Sequence, residues 1–350
     1  MTADVPLIAR IERDVPLAPF TTLGIGGPAR FFVRAESVDD VREAMAFADA
    51  QSLPLLILAG GSNVLIADEG FDGVVVHLEL RGITIESEDD DFAIVNVAAG
   101  EDWDDFVALA VDSDWAGIEC LSGIPGSAGA TPIQNVGAYG QEVSETIIRV
   151  EVLDRASGRV NDLTNWDCRF GYRTSVFKTA ARDRYVVISV TYRLRVNGEP
   201  ALRYPELRTY VEQHYAAAGL AEVRESVLAI RRRKGMVLDP RDPDTRSDGS
   251  FFTNPIVPPD RVPEGAAHFP SPYGVKLSAA WLIEHAGFHK GFVHGNAGLS
   301  SKHTLAVINR GGATAREVLD LVRMIQEKVY EKFEVKLEPE PNFVGIDLSS

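Results

Sequence analysis

The sequence predicts an α+β fold with more than one lobe. Short apolar segments typical of strands occur along the whole chain and are interspersed with amphipathic helical segments. At 350 residues the chain is long enough for two or three lobes with a sizeable buried core. A further observation is the segment Gly123 to Gly140, which contains five glycines and two prolines. With so little side-chain bulk, we expect its backbone to approach something closely.

The elements follow from hydrophobic periodicity and from the position of turn residues. The predicted strands are 29–34, 53–59, 74–78, 83–85, 93–99, 147–154, 159–163, 185–196, 304–308 and 335–337. The predicted helices are 38–50, 102–113, 206–217, 221–233, 277–286 and 315–333. The segment 235–248 is rich in Pro, Asp and Arg, which is typical of a linker or surface loop.

One nucleotide-binding motif is a false match. Gly24, Gly26 and Ala29 satisfy the dinucleotide fingerprint of a Rossmann fold. That fingerprint requires a buried strand before it and a helix after it. Here two prolines lie in the preceding segment and the strand-like 29–34 follows, so we set the Rossmann interpretation aside.

Composition excludes several classes of function. The chain has 35 basic and 51 acidic residues, a net charge of −16, which argues against nucleic acid as a partner. An anionic substrate would therefore need a local basic patch. Cys120 and Cys168 match no metal or redox spacing, and the histidines lack a metal-binding pattern, so we expect reduced thiols and no catalytic metal. The N-terminus lacks a signal-peptide core and no run could span a membrane. We expect a cytoplasmic protein that does not bind membranes.

Two glycine-rich turns predict a phosphate-bearing cofactor. Gly60, Gly61, Ser62 and Asn63 follow a predicted buried strand, and alone they suit an ordinary turn. The Gly123–Gly140 segment favours the functional interpretation, since a tight turn does not need so many small residues. Successive backbone N–H groups can form a concave nest for an anion.

Seven segments, in order, resemble one enzyme family. They are TTLGIGGPARF, LAGGSNVLIADEGFDGVVVHL, GIPGSAGATPIQNVGAYG, CRFGYRTSVFK, GSFFTNP, AAWLIEHAGF and LEPEPNFVG, and they extend from Thr21 to Gly345. This pattern resembles the bacterial UDP-N-acetylenolpyruvoylglucosamine reductases (the MurB family), FAD enzymes of peptidoglycan precursor synthesis. The extra segment from Asn197 to Val223, with LRYPEL, is similar to the longer type of the family.

The resemblance implies a two-lobed FAD-binding domain of the PCMH/vanillyl-alcohol-oxidase type and a smaller α+β substrate-binding domain. We expect the first lobe at 1–79, the second at 80–196 and an insertion with a tyrosine loop at 197–233. The substrate-binding domain is expected at 234–350, with its tail returning to the active site.

The resemblance also implies which residues contact FAD. They are Gly60, Gly61, Ser62, Asn63, Ile124, Pro125, Gly126, Ser127, Gly129, Ala130, Ile133, Gly137, Val187 and Arg231. In related flavoproteins with covalent FAD, a histidine often stands at the position of Ser62. Serine cannot form that bond, so we expect noncovalent FAD.

Three catalytic residues follow from the resemblance. Arg173 would stabilise charge that develops on the substrate carboxylate, because a guanidinium stays ionised and offers paired donors. Ser250 matches the serine that donates a proton to the carbanionic carbon. Period-two spacing cannot choose between Glu338 and Glu340, and the family pattern indicates Glu340. Here Pro341–Asn342 replaces the usual valine–arginine pair, which removes a backbone donor beside Glu340.

The implied substrate contacts are Tyr172, Tyr204, Lys234 and Asn254. The expected reaction is the NADPH-dependent reduction of UDP-N-acetylglucosamine enolpyruvate to UDP-N-acetylmuramate, by a monomer. Two alternatives stay open: a flavin oxidase of the same superfamily acting on a hydroxy acid or sugar, and a noncatalytic nucleotide-sugar sensor.

Overall fold

The structure is a computed structural model that describes residues 7–271 and 273–346. Its α-helices are α1 Val38–Ala50, α2 Trp103–Asp112, α3 Asn165–Cys168, α4 Pro205–His214, α5 Leu220–Arg233, α6 Ala279–His285 and α7 Ala315–Phe333. Its first strands are β1 Glu12–Pro16, β2 Pro28–Ala35, β3 Leu55–Leu58, β4 Val64–Ile66, β5 Phe71–Leu78, β6 Ile83–Glu88, β7 Phe92–Ala98, β8 Trp115–Ala116, β9 Gly137–Ala138 and β10 Gln141–Glu142. The remaining strands are β11 Ile147–Asp154, β12 Val160–Thr164, β13 Tyr185–Val196, β14 Ile256–Val257, β15 His268–Ser271, β16 Gly274–Leu277, β17 Val293–His294, β18 Ala297–Leu299, β19 Val307–Asn309 and β20 Asn342–Val344.

The chain forms two compact units that do not follow sequence order. The first unit comprises Met1–Val15, Ala29–Gly60 and Asp72–Arg232, and the second comprises Pro16–Pro28, Gly61–Phe71 and Arg233–Ser350. The expected domains span residues 1–350, and of these, residues 1–6, 272 and 347–350 lie outside the described residues.

The first unit is built on two sheets. One has the order β1-β2-β5-β3, with β3 parallel to β5, and the other has the order β12-β11-β13-β7-β6 with β8 beside β13. β13 is the central strand of the larger sheet because its β-branched and aromatic residues are buried on both faces. Trp103, Phe106 and Tyr192 form an aromatic cluster there, and the Tyr192 hydroxyl lies 2.7 Å from the Thr131 hydroxyl. This bond anchors the glycine-rich segment to the core.

The second unit packs helices α6 and α7 against short strands. A capping box begins α7: the Thr314 hydroxyl accepts the Glu317 N–H, and the Glu317 side chain accepts the Thr314 N–H. Val318, Leu321, Val322 and Ile325 form the buried stripe of this helix. The end of the chain returns to this unit, since β20 pairs in parallel with β4.

Most predicted elements are observed, with two errors near the C-terminus. The predicted strand 335–337 is wrong: Val335 and Leu337 are buried, but their alternation reflects packing against the core of the unit and not a sheet. The closing strand lies further on, at Asn342–Val344. The predicted strand 304–308 is shifted, since Val307–Asn309 is the paired segment.

The strand that follows Gly24 and Gly26 is β2, so no helix stands where a Rossmann fingerprint requires one. Within the described residues, no helix is both long enough and apolar enough to cross a membrane.

Candidate functional site

Bare backbone packs against bare backbone at the glycine-rich segment of the first unit. A Cβ atom on Gly60 would lie 2.6 Å from the Gly126 Cα and 2.9 Å from the Ser127 nitrogen. A Cβ on Gly129 would lie 2.4 Å from the Ala99 Cβ. Gly60 and Gly126, predicted from separate motifs, are thus brought together, and no other residue type fits either Gly60 or Gly129 without displacing its neighbours.

The buried Ser127 hydroxyl has no hydrogen-bond partner in the described protein. A buried polar atom without a partner costs free energy, so a hydroxyl in such a place calls for a ligand or water. Beside it, the predicted contacts Ile124, Pro125, Gly126, Ala130, Ile133 and Gly137 are partly exposed. Val187, another predicted contact, is buried on β13. The segment therefore presents an accessible backbone surface with an unsatisfied polar atom beside it.

Charged side chains hold the start of the segment. The Gly123 N–H donates to the Asp104 carboxylate at 2.6 Å, and Arg224 donates two hydrogen bonds to the same carboxylate. Burial opposes ionisation of Asp104, but these bonds outweigh it and lower its pKa. Arg231 donates to the Gly123 carbonyl at 3.2 Å, so both polar groups of Gly123 are fixed.

Arg231 is a buried cation, with 7% of its surface exposed. Burial lowers the pKa of Arg231, while Tyr139 and Asp104 act in the opposite direction. Burial raises the pKa of Tyr139 to about 12, so its hydroxyl stays protonated. The ring of Tyr139 makes an edge-to-face contact with Tyr204, with ring centroids 5.5 Å apart. The predicted substrate residue Tyr204 is thereby connected to the predicted cofactor residue Arg231.

Arg173 lies in a tight turn beside the glycine-rich segment. Its backbone is left-handed, with φ 53°, and the turn is closed by hydrogen bonds between Gly171 and Thr174. The guanidinium donates to the Gly137 carbonyl at 2.7 Å and lies over the Tyr172 ring. Left-handed backbone is uncommon outside glycine, and it often marks functional turns. The structure therefore brings Arg173 and Tyr172 to the Gly137 end of the segment.

In the second unit, the turn Gly61–Ser62–Asn63 holds the tail of the chain. Gly61 has φ +58°, and a Cβ there would lie 1.8 Å from the Phe20 carbonyl oxygen. The Asn63 side-chain amide donates to the Glu340 carbonyl at 3.3 Å, and the Asn63 carbonyl accepts the Asn342 N–H at 3.1 Å. Asn63 thus positions the backbone on both sides of Pro341.

Ser250 and Glu340 lie on two adjacent extended segments of this unit. Phe252 and Pro339 form an antiparallel bridge, the Glu340 N–H donates to the Phe251 carbonyl at 2.8 Å, and the Thr253 N–H donates to the Glu338 carbonyl. Of the two glutamates left open by spacing, Glu338 is exposed and Glu340 is partly buried. Pro341 has no N–H, but the pairing does not need one. The Glu340 N–H donates to the Phe251 carbonyl, and the Asn342 N–H donates to the Asn63 carbonyl.

The remaining predicted substrate residues also lie in the second unit. The Asn254 side-chain oxygen accepts the Ala279 N–H at 2.9 Å at the first turn of α6, which fixes its orientation. Lys234 follows the last residue of α5 and is partly buried.

Sequence reasoning missed three contributors. The Asp104–Arg224 pair and the link from Asn63 to Glu340 connect residues 120 and 277 positions apart, and no local pattern indicates such pairs. Asp248 was assigned to a polar surface loop but is buried, with only 6% of its surface exposed. An acidic residue within a turn normally indicates exposure, so its composition gave no signal.

Comparisons with known proteins agree with this geometry. Residues 29–164 match the family described as "FAD binding domain". Residues 240–344 match the family described as "UDP-N-acetylenolpyruvoylglucosamine reductase, C-terminal domain". Together they confirm an FAD-binding domain followed by a smaller C-terminal domain of the reductase family.

Similarity to individual proteins extends along nearly the whole chain. A UDP-N-acetylenolpyruvoylglucosamine reductase of Thermobifida fusca is 49% identical, over 96% of this chain and 98% of the relative. One from Mycobacterium leprae strain TN is 47% identical over 96% of each chain. The crystal structure of the Thermus caldophilus enzyme (MurB) aligns with a TM-score of 0.66 at 27% identity, covering 96% of this chain and 99% of that one. The chain belongs to the UDP-N-acetylenolpyruvoylglucosamine reductase family.

The residues present fit FAD. A cofactor of this size needs backbone that it can approach, and the exposed Gly60 and partly exposed Gly126 provide it, whereas Gly129 is buried against Ala99. The unpartnered Ser127 hydroxyl offers a hydrogen bond that the protein itself does not use.

We predict that Gly60→Val weakens FAD binding. The new side chain meets the backbone of Gly126 and Ser127, and overpacking of this kind costs about 1–3 kcal/mol, which corresponds to about 5- to 150-fold in the dissociation constant. Titration of the apoprotein with FAD, followed by flavin fluorescence, measures the change. Gly219→Val is the matched control, because a Cβ there meets only the flexible Glu222 carboxylate at 3.3 Å. Equal affinity in the two variants would contradict the prediction.

Proposed function

We propose that this protein is an NADPH-dependent FAD enzyme that reduces the enolpyruvyl group of UDP-N-acetylglucosamine enolpyruvate to give UDP-N-acetylmuramate. Family membership supports the reaction class. The observation that supports the assignment within this chain is the pairing of the two segments that carry Ser250 and Glu340, the residues to which we assign the proton donor and the carboxylate. This step belongs to the synthesis of peptidoglycan precursors.

When bound, FAD would supply hydride transfer from NADPH to the terminal carbon of the enolpyruvyl double bond. Gly60, Gly126, Ser127 and Gly129 would hold it through backbone and hydroxyl groups. Arg231 would contribute through the backbone, because its hydrogen bond to the Gly123 carbonyl fixes where the glycine-rich segment starts.

Arg173 is the residue that we assign to charge stabilisation. Addition of a hydride to the terminal carbon leaves negative charge on the neighbouring carbon, beside a carboxylate. A guanidinium stays ionised and donates paired hydrogen bonds to such a group. The left-handed turn and the bond to Gly137 limit the positions that this side chain can adopt, so little reorganisation is needed during the reaction.

Ser250 is the proton donor in this proposal. Its hydroxyl hydrogen passes to the carbon next to the carboxylate, and the double bond becomes a saturated lactyl ether. A hydroxyl is a weak acid, but the carbanion is strongly basic, so a well-placed donor suffices. Glu340 would orient and polarise the carboxylate end of the substrate. Tyr172, Tyr204, Lys234 and Asn254 are the proposed substrate contacts.

We also propose that the enzyme is a cytoplasmic monomer acting on small molecules. Cys120 and Cys168 are both buried and unbonded to each other, which suits a reducing compartment. Burial raises the pKa of each thiol, so neither is poised for thiolate chemistry.

We predict that the purified protein oxidises NADPH only when the enolpyruvyl UDP-sugar is present. Loss of NADPH absorbance measures turnover, and mass spectrometry identifies the lactyl product. Protein that binds FAD but shows no substrate-dependent oxidation would overturn the assignment and favour a nucleotide-sugar sensor. Rapid oxygen-dependent turnover of hydroxy acids or sugars would favour an oxidase.

We predict that Ser250→Ala separates the two half-reactions. NADPH should still bleach the flavin at the normal rate, because that step needs no proton from Ser250. Reoxidation by the enolpyruvyl substrate should fall by about 10²-fold or more, which is the usual contribution of a positioned proton donor. Stopped-flow absorbance follows both steps. If both half-reactions kept their rates, the proton-donor role would be wrong.

We predict that the FAD is released on denaturation, because Ser62 cannot form a covalent flavin bond. After precipitation with acid, the yellow colour should stay in the supernatant. Colour that remains on the polypeptide would refute noncovalent binding.

A further inference from the structure

Asp248 lies two residues before Ser250 and is a buried carboxyl group that the proposed mechanism does not use. The chain around it is anchored on both sides. Ser247 forms a bridge with Ile308, and the Phe251 N–H donates to the Leu305 carbonyl at 2.8 Å. Between these anchors the chain turns through Gly249, which has φ +73°. The position of Ser250 therefore depends on how this short turn is held.

The Asp248 carboxyl group connects the turn to two other segments. Its Oδ1 atom lies 3.2 Å from the Thr22 hydroxyl, which also lies 2.8 Å from the Ser247 carbonyl oxygen. The Val64 N–H faces the same carboxyl group and acts to lower its pKa. Val64 follows Asn63, the residue that holds the Glu340 backbone. One side chain thus links the Ser250 segment to the segment that fixes Glu340.

The surroundings of Asp248 favour the protonated acid. Burial raises its pKa to about 8, and the two groups that oppose this shift, the Thr22 hydroxyl and the Val64 N–H, are both neutral. Among residues 7–271 and 273–346, Oδ2 has no hydrogen-bond partner. The Thr22 hydroxyl has a single hydrogen and its nearer acceptor is the Ser247 carbonyl. A proton on Asp248 can then be donated to the Thr22 oxygen, and every donor in the cluster is used.

We propose that Asp248 is a positioning residue for Ser250: the buried carboxyl group ties the serine segment to Thr22 and so fixes the turn that precedes Ser250. Ionisation places a buried charge here without a cationic partner, which favours opening of the turn to water. The proposal rests on the proposed function, since it concerns delivery of the proton from Ser250.

The test compares the two half-reactions in Asp248→Ala, Asp248→Asn and the wild-type holoenzyme. Asp248→Ala removes the tie and should slow flavin reoxidation by the enolpyruvyl substrate by about ten- to a hundredfold, the usual effect of a small misplacement. Bleaching by NADPH should stay within about twofold, because that step does not use Ser250. Asp248→Asn keeps a donor for Thr22 and an acceptor for Val64, so it should restore most of the rate at pH 7.

The pH profile gives a readout that loss of stability alone would not produce. The wild-type reoxidation rate should fall as the pH rises through about 8, where Asp248 ionises. Asp248→Asn cannot ionise and should keep its rate to pH 9. An equal alkaline decrease in Asp248→Asn would assign the ionisation to another group and overturn the proposal.

Thermal unfolding reports the same ionisation. The pKa of Asp248 is raised above its unfolded value, so its stabilising effect is complete below the unfolded pKa and is lost as the pH rises through the folded pKa. The melting temperature of the wild type should therefore decrease, relative to that of Asp248→Asn, between about pH 4 and pH 8. Parallel curves would contradict a protonated Asp248.

Asp244→Asn is the matched control, since Asp244 is equally buried in the same unit but bonds to Ser301. It should lower stability without changing the ratio of the two half-reactions. If Asp248→Ala fails to fold, Thr22→Val removes the other partner of the tie and should also slow reoxidation selectively. A ratio that is unchanged in the Asp248 and Thr22 variants refutes the proposal. Failure of the substrate to reoxidise the wild-type flavin refutes the proposed function instead.

Discussion

The contact between bare backbone at Gly60 and Gly126 is the constraint on which the first unit depends. A Cβ at Gly60 would lie 2.6 Å from the Gly126 Cα, so the two segments can approach this closely only because Gly60 lacks a side chain. Glycine loses much conformational entropy on folding, and the cost is offset by anchors that reach the core. The Thr131–Tyr192 bond and the charged groups around Gly123 are such anchors. The glycine-rich segment is thereby held in place at several points.

In the second unit, backbone contacts hold the Ser250 and Glu340 segments in a fixed register. Ser250 and Glu340 lie on segments that pair for only a few residues, which alone would leave them free to move. Asn63 adds bonds on both sides of Pro341, and proline stiffens the backbone between them. The replacement of valine–arginine by Pro341–Asn342 is therefore compatible with an ordered Glu340, because the missing proline N–H is not one that the pairing uses.

The sequence predicted those parts that have a local pattern. Helices α1 and α7 and strands β11 and β13 begin and end where periodicity placed them, since their burial repeats along one element. The segment 335–337 was predicted wrongly because alternating burial can arise without strand pairing. The catalytic candidates came from resemblance, and their mutual supports could not be predicted, because Asn63–Glu340 and Asp104–Arg224 depend on the folded path of distant segments.

Asp248 shows why such supports cannot be predicted from the sequence. Composition assigns an acidic residue in a polar loop to the surface, where ionisation costs nothing. In the fold the same residue is enclosed by Thr22, Val64 and its own turn, and ionisation becomes unfavourable. An apolar residue could fill the same space, but it could not bond to Thr22. The carboxyl group therefore fixes the turn before Ser250 but lowers the stability of the protein at alkaline pH. A loss of stability of this kind is typical near reactive groups.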